Sequence, residues 1–403
     1  MAVGALDGLR VVELAERTSG PYCAKLLADL GAEVVKVESP FYGDPSRTEE
    51  PFLRDVPGSD RAGIFFYLNS NKLGITLDVS QPEGRSILLE ILSDSDVFIE
   101  NLGASVTERL GLDYASLAGT CPRLVMTSIS PYGQTGPRRS WKGTELTLWN
   151  ASGYGVLTPA GVREDDEPPL HPRCAQAAYL SGANAAGATM AALLNRSVSG
   201  TGQQVDISEQ ETMIAALSPQ LADYFYESAS VWTRDAPRLN IMQFIPCKNG
   251  YVSLLITQPD QWDRLVAWMG NPEWAQIGEY RGIQGMIQNW DLISFMFAET
   301  FADRTKEELF EGGQANRIPI APVNSIHEIV ASPHLQQRGF FVQIDHPEGG
   351  SMTVPGAPYR LAGTPWRLRR PAPRLGQHNQ EIYADRLHLL PDEIVKLRAA
   401  RLI

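Results

Sequence analysis

The sequence predicts an α/β protein: a large doubly wound, Rossmann-like parallel-sheet domain joined to a smaller α/β domain. Three observations carry this reading. Short apolar runs alternate with helix-period segments between Leu9 and Ile129, the pattern of an open parallel sheet with helices on both faces. Glycine and proline fall where such units turn, as at Ser19-Gly20-Pro21 and Gly31. From about Tyr224 the composition shifts, with Trp232, Trp262, Trp268, Trp274 and Trp290 in one span, as expected of a second core.

The elements follow in order. Leu9 to Leu14 is a strand pattern, Tyr22 to Leu30 has helical spacing and stops at Gly31, and Ala32 to Val37 is a second strand. Together they form one βαβ unit. Gly74 to Leu77, Val97 to Glu100 and Leu124 to Ile129 read as further strands, and Pro82 to Ser93 as a helix opened by proline. Ala175 to Leu194 is rich in small residues and broken by Gln176, Ser181, Asn184 and Thr189, so it reads as a buried, tightly packed helix. Gly200 to Gln203 turns into the strand Gln204–Ile207, followed by a helix from Glu209 to Leu217. The expected boundaries are 1–210 and 330–403 for the large domain, 225–320 for the small one, and 211–224 and 321–329 for linkers. No internal repeat is visible.

Ligands on such sheets sit beyond the carboxyl ends of the strands. The segments to watch are therefore Ala15–Gly20, Ser39–Arg47, Asn101–Arg109 and Ser130–Lys142.

Composition narrows the function. A net charge of −12 argues against nucleic acid, which needs a clustered basic footprint. No run approaches the ~20 apolar residues of a membrane span, and Met1 to Arg10 lacks the pattern of a signal peptide, so a cytoplasmic location is expected. Cys23, Cys121, Cys174 and Cys247 are scattered without a CxxC pair, which fits reduced thiols and gives no metal site.

Particular motifs add a resemblance. Gly8-Leu9-Arg10-Val11-Val12-Glu13-Leu14, Ser19-Gly20-Pro21 and the run from Leu26 to Glu38 resemble the opening of class III CoA-transferases, also called CaiB/BaiF-like proteins. Asn69-Ser70-Asn71-Lys72, Glu100-Asn101-Leu102, Gly136-Pro137, Gly202 to Ser208 and Ala372 to His378 continue the likeness in order along nearly the whole chain. The family includes formyl-CoA and carnitine CoA-transferases, benzylsuccinate CoA-transferase and α-methylacyl-CoA racemases. The resemblance implies an interlocked dimer, with acyl-CoA as substrate and no metal.

It also implies contacts to CoA. Arg17, Thr18 and Ser19 resemble the backbone loop at the nucleotide, and Lys72, Asn101, Leu102, Arg109 and Lys142 occupy positions that touch adenine, phosphates or pantetheine. Cationic and backbone N–H donors suit CoA's phosphates, although a lone lysine is more often a solvated charge. Where a relative places a phosphate-binding arginine after Glu38, this chain has Ser39, with Arg47 as a substitute to consider.

The family's nucleophile is an Asp four residues before a glycine at the start of the small-residue helix. Here that glycine is Gly182 and the position holds Ala178. No Asp or Glu lies between Glu167 and Asp206, so a slip of one residue does not restore it. An alanine methyl neither attacks a thioester nor moves a proton. The racemase pair falls at Thr144 and Ala178, so racemisation is not expected. Glu145 is the substitute carboxylate to test, although a structural role is the commoner one. His171 reads as a loop residue, Cys174 as an unreactive thiol, and His346 and His378 as structural.

The expectation is therefore a subunit of a class III CoA-transferase moving CoA between carboxylic acids, for example from succinyl-CoA to an aromatic or dicarboxylic acid such as benzylsuccinate. This chain would be the non-catalytic partner of a paralogous subunit bearing the Asp, in a heterodimer or a heterotetramer built from it. The alternatives are a stand-alone acyl-CoA enzyme, transferase or lyase, using Glu145, and a CoA-binding assembly protein without turnover.

Overall fold

The computed structural model describes residues 4–158, 168–227, 243–347 and 350–403. The chain divides into two units, Met1–Tyr154 with His171–Pro219 and Gly339–Ile403, and Gly155–Leu170 with Gln220–Arg338.

The first unit opens with β1 (Arg10–Leu14), α1 (Ser19–Asp29), β2 (Glu33–Glu38), α2 (Gly63–Asn69), β3 (Leu73–Thr76), α3 (Pro82–Ser93) and β4 (Val97–Glu100). There follow α4 (Ala104–Leu110), α5 (Tyr114–Ala118), β5 (Val125–Ser130), α6 (Glu145–Ala151), α7 (Tyr154–Leu157, of which only Tyr154 falls in this unit), α8 (Gln176–Ser199), β6 (Gln204–Ser208) and α9 (Glu209–Ala215). The sheet runs β3-β2-β1-β4-β5-β6, with every pair parallel. The order reverses between β1 and β4, where Val11 lies opposite both Val34 and Val97.

β1 to β5 are buried on both faces, which is why they read as largely apolar runs, whereas β6 alternates exposed and half-buried residues from Gln204 to Ile207. Alternate residues part company: Val12, Val35, Phe98 and Met126 pack with Leu88 and Leu92 of α3. Val11, Val34, Val97 and Val125 pack with Leu27 of α1 and Ala185 of α8 on the other face. The small residues of α8 let it lie close to α1. At Gly182 an added Cβ would stand 2.6 Å from the Ser19 carbonyl oxygen and 3.1 Å from the Tyr22 Cβ.

The C-terminal segment returns to the sheet edge. The Gly74 amide donates to His378 Nδ1 at 2.9 Å, the Thr76 amide donates to Asn379 Oδ1 at 2.9 Å, and the Tyr383 hydroxyl donates to the Thr76 carbonyl at 2.6 Å. His378 is thus a structural residue, and His346 is buried against Phe66.

The second unit carries an antiparallel sheet of β7 (Gln243–Cys247), β8 (Gly250–Leu254) and β9 (Ile320–Pro322). The segment expected as a first linker, 211–224, is largely helical, in α9 and α10 (Ser218–Glu227). The segment expected as a second, 321–329, completes β9 and starts a helix, because β9 is needed to pair with β8. The unit continues to Arg338. Trp262, Trp274 and Trp290 ring Phe297 with centroids 6.1, 5.3 and 6.4 Å away. Trp232 lies outside the described residues. Among the described residues, no helix is long and apolar enough to cross a membrane.

Candidate functional site

The strand ends of the first unit converge on the Ala15–Gly20 loop. Asn101, just after β4, holds that loop: the Glu16 amide donates to its Oδ1 at 2.9 Å and its Nδ2 donates to the Glu16 carbonyl at 2.8 Å. The Asn101 side chain is thereby committed to the loop. Arg17 adopts φ 62°, is exposed and pairs with Glu49, while its amide donates to Asp44 Oδ1 at 3.1 Å. Thr18 is half-buried and Ser19 buried at the start of α1.

Beneath the loop lie buried charges. Lys36 Nζ contacts Glu13 Oε1 and Asp44 Oδ2 at 2.8 Å each. Lys72 Nζ contacts Glu13 Oε2 at 2.6 Å and donates to the Pro21 carbonyl and Asn69 Oδ1 at 2.9 Å. These three acceptors use all three ammonium protons, and the side chain is fully buried. Lys72 therefore supports the loop from within and does not reach a ligand, which corrects the expected contact. Burial brings its ammonium down to about 8 despite Glu13, with Lys36 adding to the fall. Burial would raise the Asp44 carboxyl, but Lys36 and Ser46 outweigh it and bring it to about 2.

Arg47 is likewise withdrawn. Its Nε and Nη2 grip Glu38 at 2.7 and 2.8 Å, its Nη1 meets Asp60 at 3.0 Å, and the guanidinium lies 3.8 Å from the Phe65 ring centroid. A substitute phosphate ligand at Arg47 is thus ruled out by these partners.

Two adjoining hollows lie at the sheet's switch point. The first is bounded by Ser39, Tyr42, Val79, Leu102, Val106 and Arg109, over the ends of β2 and β3 and along α4. The second shares Leu102 and Val106 and adds Ser130, Arg139, Trp141 and Lys142. Arg109 and Lys142 are exposed, and neither has an ion-pair partner among the described residues. Arg139 is tied to Glu108 at 2.6 Å. Ser130 is 2% exposed, with its Oγ unbonded among the described residues. So the structure brings Arg109 to the first hollow and Lys142 to the second, with Leu102 shared by the two and with Arg17, Thr18 and Ser19 in the loop that Asn101 holds beside them. Tyr42 and Ser130 fall within the strand-end segments marked from the sequence but were not singled out there, and Val79 lies outside them, since an isolated tyrosine, valine or serine carries no spacing signal.

Beyond Lys142 the chain enters α6. Thr144 caps that helix, and the Glu145 carboxylate reaches the first turn of α8, accepting from the amides of Ala177 at 2.9 Å and Ala178 at 3.4 Å. A carboxylate there satisfies amides that have no partner within the helix and complements the helix dipole. Glu145 thus serves as a cap. Glu209, at the start of α9, hydrogen-bonds Ser19 and feels Glu145; burial raises its carboxyl above the ordinary value, and Glu145 adds to the rise. Sequence reasoning passed over Glu209 because it lies beyond the helix where a carboxylate was sought.

An aromatic hollow flanks the same first turn of α8, walled by Tyr22, Trp149, Tyr154, Tyr179, Leu180 and Met213. His171 sits edge-on to Trp149 at 5.7 Å, with Nε2 unbonded among the described residues. Cys174 is exposed at the hollow and accepts from Gln176 Nε2 at 3.1 Å. Among the described residues, no three His, Cys, Asp or Glu side chains converge as a metal site would require.

The sequence model of CoA-transferase family III matches residues 6–379. The chain belongs to that family. Among its relatives is the succinyl-CoA:(R)-benzylsuccinate CoA-transferase subunit BbsE of Thauera aromatica, 33% identical over 389 residues that cover 93% of each chain. Succinate–glutarate CoA-transferase of Agrobacterium fabrum is 30% identical over 386 residues, 94% of this chain and 95% of that one. A solved CAIB/BAIF family protein from Brucella suis matches with a TM-score of 0.83 at 29% identity, across 96% of this chain and 100% of the other. In this member of CoA-transferase family III, the helix turn where the family resemblance implies an aspartate presents the Ala178 methyl and a Glu145 carboxylate bound to backbone amides.

Proposed function

We propose that this chain is the non-catalytic subunit of a heteromeric CoA-transferase, binding a CoA thioester while a paralogous subunit supplies the reacting carboxylate. The reading rests on Ala178: no oxygen anion stands at the position the transfer requires, and the adjacent carboxylate, Glu145, is engaged by two amides. The BbsE relative is itself named as a subunit. The two hollows at the switch point suit a CoA, with Arg109 and Lys142 toward its phosphates and apolar Val79, Leu102 and Val106 toward its base. An interlocked dimer, as the family resemblance implies, would let a partner's aspartate share one assembly with this chain.

In the assembled enzyme the partner's carboxylate attacks the thioester carbonyl, the C–S bond breaks, and an anhydride and CoA thiolate form. The thiolate then takes the enzyme's acyl carbon and releases the donor acid. The acceptor carboxylate repeats the two steps in reverse, so CoA moves with no net oxidation or hydrolysis.

The test is an assay of CoA transfer from succinyl-CoA with the purified chain, with a paralogous subunit encoded beside it, and with both. Activity only in the pair is expected, unaffected by Glu145→Gln in this chain beyond a modest loss of stability. Turnover by the chain alone that is abolished by Glu145→Gln would overturn the assignment.

A further inference from the structure

We propose that the aromatic hollow beside the first turn of α8 receives an uncharged, aryl-bearing acyl group of the CoA thioester, and not the free second carboxylate of a dicarboxylic acid. The proposal rests on the CoA-binding reading above and names the substrate class of that same site.

Position comes first. The second hollow ends at Lys142 and Gly143. Glu145 follows two residues later and binds the amides of Ala177 and Ala178. Gln176 and Tyr179, on either side of those two alanines, line the aromatic hollow. A thioester brought along the first two hollows to Ala178 therefore has the aromatic hollow as the next space for its acyl substituent.

Shape and polarity come next. Tyr22 and Tyr179 meet edge-to-face with centroids 4.9 Å apart, and Trp149 and Tyr154 lie 4.7 Å apart at 36°. Such walls offer both ring faces and ring edges to an incoming aromatic ring, and the Met213 thioether adapts its contact to the ring's outline.

Charge decides between the two classes of acid. Among the described residues, no lysine or arginine lines the hollow, and Arg173, between the lining residues Pro172 and Cys174, is exposed and no part of the wall. Among the described residues, the nearby acidic groups are Glu145 and Glu209, and Glu145 disfavours the charge of Glu209. A second carboxylate would lose its water, gain no cation and meet like charge. The hydroxyls of Tyr22 and Tyr179 remain neutral donors, since burial raises both above the ordinary tyrosine value.

Calorimetric titration of the purified full chain with CoA, succinyl-CoA and phenylacetyl-CoA tests this. Phenylacetyl-CoA is expected to bind at least about tenfold more tightly than CoA, and succinyl-CoA no more tightly than CoA. Ala183→Phe, at an exposed small residue of the hollow on α8, fills the space without removing core. It should erase the aryl advantage while leaving CoA affinity unchanged. Alkylation of Cys174 should be slowed by phenylacetyl-CoA and not by CoA, with Cys247 of the second unit as an internal control. CoA binding with no aryl advantage, or with succinyl-CoA preferred, overturns the hollow's assignment and leaves the subunit reading standing. Failure of all three ligands to bind overturns both.

Discussion

Lys72 and Lys142 were equal candidates as sequence letters, and the structure gives them opposite roles. Lys72 has spent its three protons on Glu13, Pro21 and Asn69, whereas Lys142 is exposed beside the second hollow. Lys72→Met should destabilise the protein by about 3 kcal/mol, the scale of breaking a buried ion pair. Lys142→Ala should leave thermal stability unchanged and weaken CoA binding by roughly tenfold, the scale of one charge-assisted phosphate contact. Thermal unfolding and calorimetric titration of both variants separate the two; weakened CoA binding in a fully stable Lys72→Met protein would reverse the assignment. No local pattern distinguishes them, because what silences Lys72 is a glutamate on β1 and a carbonyl on α1. Ala178 is the opposite case: a methyl cannot acquire an oxygen from its surroundings, so that this side chain cannot itself act as a nucleophile was legible at once.

At the scale of elements, α8 organises the site. Its small residues let α1 approach, and its first turn collects Glu145, Ala178 and the aromatic hollow. Gly182 sets that approach, with the Ser19 carbonyl 2.6 Å from where a Cβ would stand. Gly182→Ala should therefore destabilise by about 1–3 kcal/mol, as overpacking does, and shift the Ala15–Gly20 loop. Urea unfolding measures the first effect; an unchanged midpoint would mean that α1 moves away from α8 without loss. Strands β1 to β5 were readable because burial on both faces makes them largely apolar runs. In the segment expected as a linker at 211–224, α9 was legible as a helix from Glu209, whereas α10 (Ser218–Glu227) was not.

At the scale of the molecule, charges from distant stretches of chain are locked under the Ala15–Gly20 loop. Asp44 joins Lys36 of β2 and also receives the Arg17 amide. Its carboxyl falls from 3.8 to about 2 on folding, so the folded state binds its proton less readily than the unfolded chain. Its contribution, on the order of 2 kcal/mol, is complete above pH 5 and lost as pH falls through 3.8 toward 2. Asp44→Asn should flatten that part of an acid-unfolding curve while lowering stability at neutral pH; an unchanged acid limb would remove Asp44 from the cause. The sequence by itself determined the βα order, the second aromatic core, the family and the alanine at position 178, because each is written in residues adjacent along the chain or in what a side chain lacks. Only the tertiary structure decided that Lys72, Arg47 and Glu145 are occupied, that Arg109 and Lys142 stay open, and that tyrosines and a tryptophan from four separate segments wall one hollow. Those are matters of which groups meet across the fold, where buried charges must find partners and exposed ones need not.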